Sequence, residues 1–163
     1  RIGRGGPNAL YVLGMATHGF IQSDSDSFQN ASSMFQASLY GTLTTEVLKK
    51  TIRQPRPDSD ERNSLPSGHT TSAFAFASYI GCKHELPWGI AAYSLATLVG
   101  VSRINDNRHY LHDVVAGATI GTGFGLGICL NQKKEPAGDS KNNVEWIGFP
   151  TPEGVVTRLT ISY

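Results

Sequence analysis

Residues 66–82, PSGHTTSAFAFASYIGC, hold the reading from which the rest of the chain can be worked out. Proline, serine and glycine stand directly before an apolar run, which is what an anion site at a helix N-terminus needs. Free backbone N–H groups point outward there, a glycine permits close approach, and a hydroxyl adds a donor. The run predicts a helix from Gly68 or His69 to Cys82, with His69 at its mouth. A plainer reading makes Ser67 an ordinary N-cap and His69 a surface imidazole, and on this segment alone the plainer reading is the better one.

Upstream, residues 53–68 contain three prolines and a charge cluster, which exclude regular structure. Before them, Phe28–Lys50 reads as a long helix. Its Phe35, Leu39, Leu43 and Val47 recur every fourth position and predict a core-facing stripe. The opposite face, with Gln29, Asn30, Ser33, Gln36 and Thr44, reads as too polar for lipid. Residues 23–27 are a break rich in N-cap types, and residues 7–21 predict a first helix with Pro7 in its first turn.

Downstream, a fourth helix is expected from about Trp88 to Ser102 and a fifth from near His109 to about Leu130. Residues 86–102 and 114–130 are uncharged, but 17 residues is the bottom of the membrane-spanning range. Gly117, Gly121, Gly123, Gly125 and Gly127 loosen the second run, and the mean hydropathy of the chain is only −0.20. These runs are therefore expected to be buried helices of a soluble bundle.

A polar linker from Asn131 to Asn143 leads to two short strands, Val144–Phe149 and Val155–Tyr163. The expected fold is all-α, a bundle of five or six helices over residues 1–131. A short hairpin or extended tail over residues 132–163 is expected to pack on the same domain. Cys82 and Cys129 each lie in an apolar run and read as buried free thiols, since spacing alone cannot show that they meet. No signal peptide is visible, and a chain opening at Arg1 makes that uninformative. A net charge of +1 gives no field suited to nucleic acid.

Three segments carry chemistry. Lys49 ends the second helix, and Arg56 follows between Pro55 and Pro57. The Ser67-Gly68-His69 mouth comes next. Then come Ser102-Arg103, His109 and Asp113, the last two spaced so that a carboxylate on the same helix face can hold an imidazole. Such a carboxylate fixes the tautomer and stabilises the imidazolium that develops during attack. His112 reads as a bystander about 100° around the helix, and Asp106 and Arg108 as loop charges. Cations, an anion nest and two histidines suit phosphoryl transfer, where charge stabilisation and positioning do most of the work. No metal-binding motif is present, so no metal cofactor is expected.

Lys49-(six residues)-Arg56-Pro57, Pro66-Ser67-Gly68-His69 and Ser102-Arg103-(five residues)-His109-(three residues)-Asp113 together resemble the three-part signature of the phosphatidic acid phosphatase type 2 superfamily. That superfamily includes bacterial acid phosphatases, lipid phosphatases and vanadium haloperoxidases. The likeness spans about Leu43 to Gly127. It implies a helical bundle in which Lys49, Arg56, Arg103, Ser67 and Gly68 bind phosphate, His109 attacks phosphorus, Asp113 orients His109, and His69 protonates the leaving oxygen. It further implies metal-independent hydrolysis of a phosphate monoester or a lipid-linked phosphate or diphosphate, inhibition by vanadate, and an extracytoplasmic or periplasmic site, soluble or membrane-associated. A homodimer is compatible with the apolar helices. The competing readings are a vanadate-dependent haloperoxidase and a non-catalytic module that binds phosphate or a lipid headgroup. Only eight residues separate Pro57 from Pro66, fewer than in many membrane members, which predicts an open site.

Overall fold

The structure is a computed structural model that describes residues 5–134, 145–151 and 154–160. Its first unit holds five helices: α1 (Gly6–Gln22), α2 (Ser25–Ile52), α3 (Gly68–Lys83), α4 (Leu86–Asn105) and α5 (Leu111–Lys134). Their ends follow local chemistry. Asp24 caps α2 by accepting from the backbone N–H groups of Asp26 and Ser27. Arg53 closes α2 in the left-handed conformation, and its N–H returns to the Lys49 carbonyl. Two-residue links join α1 to α2 and α3 to α4, making both pairs antiparallel neighbours.

Helix α3 is the centre of the bundle. It packs against α1, α2 and α4, and α5 lies across it so closely that no side chain fits between. A Cβ at Gly121 would stand 2.2 Å from the Thr71 carbonyl oxygen, and one at Gly125 would stand 2.4 Å from that of Ala75. Gly117, Gly121 and Gly125 therefore set the distance between α5 and α3, while Gly123 and Gly127 face open space. That approach brings the Cα atoms of Cys82 and Cys129 to 6.3 Å, and the two cysteines form a disulfide, correcting the expectation of free thiols.

The interior is lined by small and polar residues. Ala31, Met34, Ala37 and Thr45 of α2 are buried, as are Thr70, Thr71, Ala75 and Ser78 of α3. Buried polar groups find one another. The Tyr79 hydroxyl donates to Asn30 Oδ1 at 3.3 Å and to Gln132 Oε1 at 3.1 Å, and Gln132 Nε2 donates to Asn30 Oδ1 at 3.1 Å. Asn8 donates to Ser38 Oγ at 2.8 Å, and Ser72 Oγ donates back to Asn8 Oδ1 at 3.2 Å.

The outside is apolar, which reverses two expectations. Phe35, Leu39, Leu43 and Val47 do form a stripe, but it faces away from the bundle, with Val47 62% exposed. Asn30 and Ser33, expected on the face opposite the core and too polar for lipid, are buried. Leu86, Trp88, Ile90, Leu95 and Leu98 of α4, with Leu111 and Val115 of α5, are exposed as well, so these helices are not buried on all sides as expected. The physical reason is packing distance: small residues allow the helices to close on one another, and large apolar side chains are left for the perimeter. Among the described residues, the segment Leu111–Gln132 is long and apolar enough to cross a membrane.

The second unit spans Lys134–Tyr163. In it β1 (Glu145–Thr151) runs antiparallel to β2 (Gly154–Thr160), with Glu145 opposite Thr160 and Thr151 opposite Gly154. Most of the expected polar linker, residues 135–143, lies outside the described residues.

Candidate active site

Five segments of the bundle meet at one end: the last turns of α2 and α4, the 53–67 loop, the N-terminus of α3, and the 106–110 loop before α5. They enclose a cavity of about 690 Å³ lined by Lys49, Arg56, Gly68, His69, Arg103 and His109, together with Glu46, Lys50, Arg53, Arg62, Asn63 and Arg108. Of the residues singled out from the sequence, six line this cavity. Ser67 and Asp113 lie fully buried behind it.

Lys49 is buried, and its ammonium donates to the Asn63 carbonyl and, at 3.4 Å, to that of Ser64. Arg56 Nε donates to Asn63 Oδ1 at 2.6 Å and lies 3.5 Å from Glu61 Oε2. Arg103 bonds Asp106 Oδ2 at 2.8 Å, so Asp106 fixes a cavity cation and is more than a loop charge. Arg108 is fixed likewise by Asp58 at 2.7 Å. Ser67 makes no side-chain cap; its Oγ accepts from Thr70 Oγ1 at 3.0 Å, and its N–H donates to the Asp113 carbonyl at 2.9 Å. That last bond ties the mouth of α3 to the first turn of α5. His69, half-buried, faces the same cavity.

The histidine–aspartate pair is built differently from the helical pair expected. His109 precedes α5, and the chain turns back so that its N–H donates to the Arg103 carbonyl at 3.2 Å. Its Nδ1 stands 3.6 Å from Asp113 Oδ2 and 3.5 Å from Ser64 Oγ. The same Oδ2 accepts from the Tyr110 N–H at 3.0 Å and from the Ser64 hydroxyl. With Nδ1 facing the carboxylate, Nε2 is the ring nitrogen left for the cavity. Burial, together with the nearby cations Arg56 and Lys49, pushes the His109 pKa down from 6.5 to about 4, and the Asp113 carboxylate only partly offsets them. The imidazole is therefore neutral near pH 7.

Sequence reasoning missed three contributors. Asn63 and Ser64 organise Lys49, Arg56, Asp113 and His109, yet polar residues in a proline-rich loop gave no sign of it. His112, expected to point away from Asp113, lies against it. Its Nε2 lies 3.1 Å from Asp113 Oδ1 and 2.5 Å from Gln54 Nε2, and its ring stacks on Tyr110. A 100° step separates neighbours on a helix, but a residue in the first turn can fold its side chain back over the helix end.

The PAP2 superfamily profile matches residues 31–136, which include every residue of the site. The chain belongs to the PAP2 superfamily. Among curated proteins it is 45% identical over 69 residues to a lipid A 1-phosphatase of Porphyromonas gingivalis, a match covering 40% of this chain and 16% of that protein. It is 30% identical over 151 residues to a PA-phosphatase related-family protein of Dictyostelium discoideum, covering 72% of this chain and 56% of the relative. Over 101 residues it is 34% identical to phosphatidylglycerophosphatase B of Bacillus subtilis, covering 51% of this chain and 49% of that one. The chain thus spans about half or less of the length of these relatives. Its fold is that of the crystal structure of Aquifex aeolicus LpxE, with a TM-score of 0.60 at 24% identity over 76% of this chain and 83% of that one.

Proposed function

We propose that this chain is a metal-independent phosphatase of membrane lipids, acting through a phosphohistidine on His109. The observation that carries the reading is one cavity in which a neutral buried histidine, backed by a buried carboxylate, faces Lys49, Arg56, Arg103 and the open end of α3. The named relatives that act on phosphorylated lipids support the substrate class, and so does the apolar perimeter of the bundle.

In this reading Lys49, Arg56 and Arg103 hold the phosphoryl oxygens, with Ser67 and the Gly68 N–H completing the cradle. His109 Nε2 attacks phosphorus in line with the ester oxygen. The P–N bond forms, the P–O bond breaks, and His69 delivers a proton to the departing alkoxide. Positive charge developing on the imidazole is met by Asp113 through Nδ1–H. Water then attacks the phosphohistidine with His69 as base, the P–N bond breaks, and inorganic phosphate leaves. The perimeter would sit in the bilayer with the cavity at its extracytoplasmic face, so that a headgroup reaches the site while its acyl chains stay in lipid.

The test is phosphate release in EDTA from p-nitrophenyl phosphate, phosphatidic acid, phosphatidylglycerol phosphate and undecaprenyl diphosphate, with wild type beside His109→Ala. Turnover of lipid substrates that survives chelation and vanishes in the variant is expected, as is inhibition by vanadate. Chelator-sensitive turnover, or activity in the variant, would sink the mechanism. The pH profile adds a second check. A depressed histidine stays neutral, and hence nucleophilic, down to its own pKa. The acid limb of kcat/KM should therefore bend near pH 4, and a bend at 6.5 would remove the neutral-histidine argument.

A further inference from the structure

The cavity holds more positive charge than the reaction just proposed can use. Among the described residues seven lysines and arginines line it with one carboxylate, Glu46, and three of the seven are paired from outside the lining, Arg56 with Glu61, Arg103 with Asp106 and Arg108 with Asp58. A phosphate monoester carries at most about two negative charges near neutral pH. Lys49, Arg56 and Arg103 already answer that charge. Arg108 is held by Asp58 at 2.7 Å. Lys50, Arg53 and Arg62 remain, all exposed and all lining the same cavity, and among the described residues none has a carboxylate within ion-pair distance.

Their placement is fixed by the backbone. Lys50 lies in the last turn of α2, where the helix dipole favours cations. Arg53 is the left-handed cap that turns the chain out of α2, with φ 53° and its N–H bonded to the Lys49 carbonyl. Arg62 precedes Asn63, the residue that holds Lys49 and Arg56. The loop carrying Arg62 is pinned by the Ser64 N–H to the Gln54 carbonyl at 3.0 Å and by the Arg56 N–H to the Glu61 carbonyl at 3.0 Å. Like charges gathered round one cavity repel, and an anion of matching charge relieves them.

We propose that Lys50, Arg53 and Arg62 form a second anion subsite beside the phosphoryl cradle, and that the preferred substrate carries a second phosphate or phosphodiester group. The inference rests on the phosphatase reading above and names the substrate class within it. The same chemistry has a second source, the headgroups of anionic lipids around the protein, and the test separates the two.

The full chain is assayed in neutral detergent micelles with phosphatidic acid, which has a phosphomonoester alone, and with phosphatidylglycerol phosphate, which adds a phosphodiester. Wild type is compared with the triple variant Lys50→Gln, Arg53→Gln, Arg62→Gln. Each exposed charge contact contributes modestly, so kcat/KM for the second substrate should fall about tenfold or more, mainly through KM, and that for phosphatidic acid by less than about threefold. Doping the micelles with phosphatidylglycerol reads the other source: activation of both substrates in wild type, lost in the variant, would assign the cations to surrounding lipid and overturn the second-subsite proposal. Equal losses on both substrates, or none, would overturn it too. Calorimetric binding of short-chain forms of the two lipids to His109→Ala needs no turnover. A preference there for phosphatidylglycerol phosphate, abolished by the triple substitution, supports the subsite even if the phosphohistidine mechanism fails, and its absence refutes the subsite alone.

Discussion

Helix α2 presents two faces of opposite character, and each stands where a water-soluble protein would put the other. Ala31, Met34, Ala37, Gly41 and Thr45 turn inward, while Phe35, Leu39, Leu43 and Val47 turn outward. In water the outward stripe would gain about 25 cal/mol for each Å² of apolar surface hidden, and it would be driven inside. In lipid that drive is absent, and helices associate through close packing and internal hydrogen bonds instead. The inner face is where geometry is exacting; the outer face has only to be apolar.

The comparison is broken most severely at the closest approach. Gly121→Leu places a side chain against the Thr71 carbonyl and is expected to yield no monodisperse protein in detergent, read by size-exclusion chromatography. Recovery of a stable variant would mean that α5 is not held against α3 as described. Asp113→Asn keeps the shape but removes the charge facing His109 Nδ1, and kcat should fall about 1,000-fold with the fold retained. Asn30→Leu tests the polar interior by leaving Tyr79 and Gln132 without their shared acceptor. A loss of about 1–3 kcal/mol in denaturant stability is expected, and no loss would show the network to be idle. Leu43→Asn on the outer face should cost less than about 0.5 kcal/mol in detergent yet weaken retention in lipid vesicles. A large loss in detergent would return that stripe to a protein interior.

The same two faces explain what the sequence could and could not tell. The helices were legible because their punctuation is local: Asp24, Pro7 and the proline-rich 53–67 loop act on their immediate neighbours. The cations, His69, His109 and Asp113 were legible because a charged side chain in a fixed series has few other reasons to recur. Which face of α2 turns inward was not legible, since a period of about four marks a stripe without saying what surrounds it. The rule that apolar means inside does not describe α2, whose apolar stripe lies on the perimeter. The roles of Asn63, Ser64 and His112 depend on loop backbone that returns 49 residues later to meet Asp113, and no local pattern encodes such a meeting.

The bond from the Ser67 N–H to the Asp113 carbonyl, and the α5 glycines lying over α3, set an order of events during synthesis. A ribosome adding about 5–20 residues per second delivers Asp113 roughly 2–10 s after Ser64, and the docking glycines follow. Until then the nascent chain holds a loop rich in cations and the open end of α3, but not the helix that closes over them. The closed cavity is therefore among the last features the growing bundle acquires, and a chain cut short before α5 would lack it.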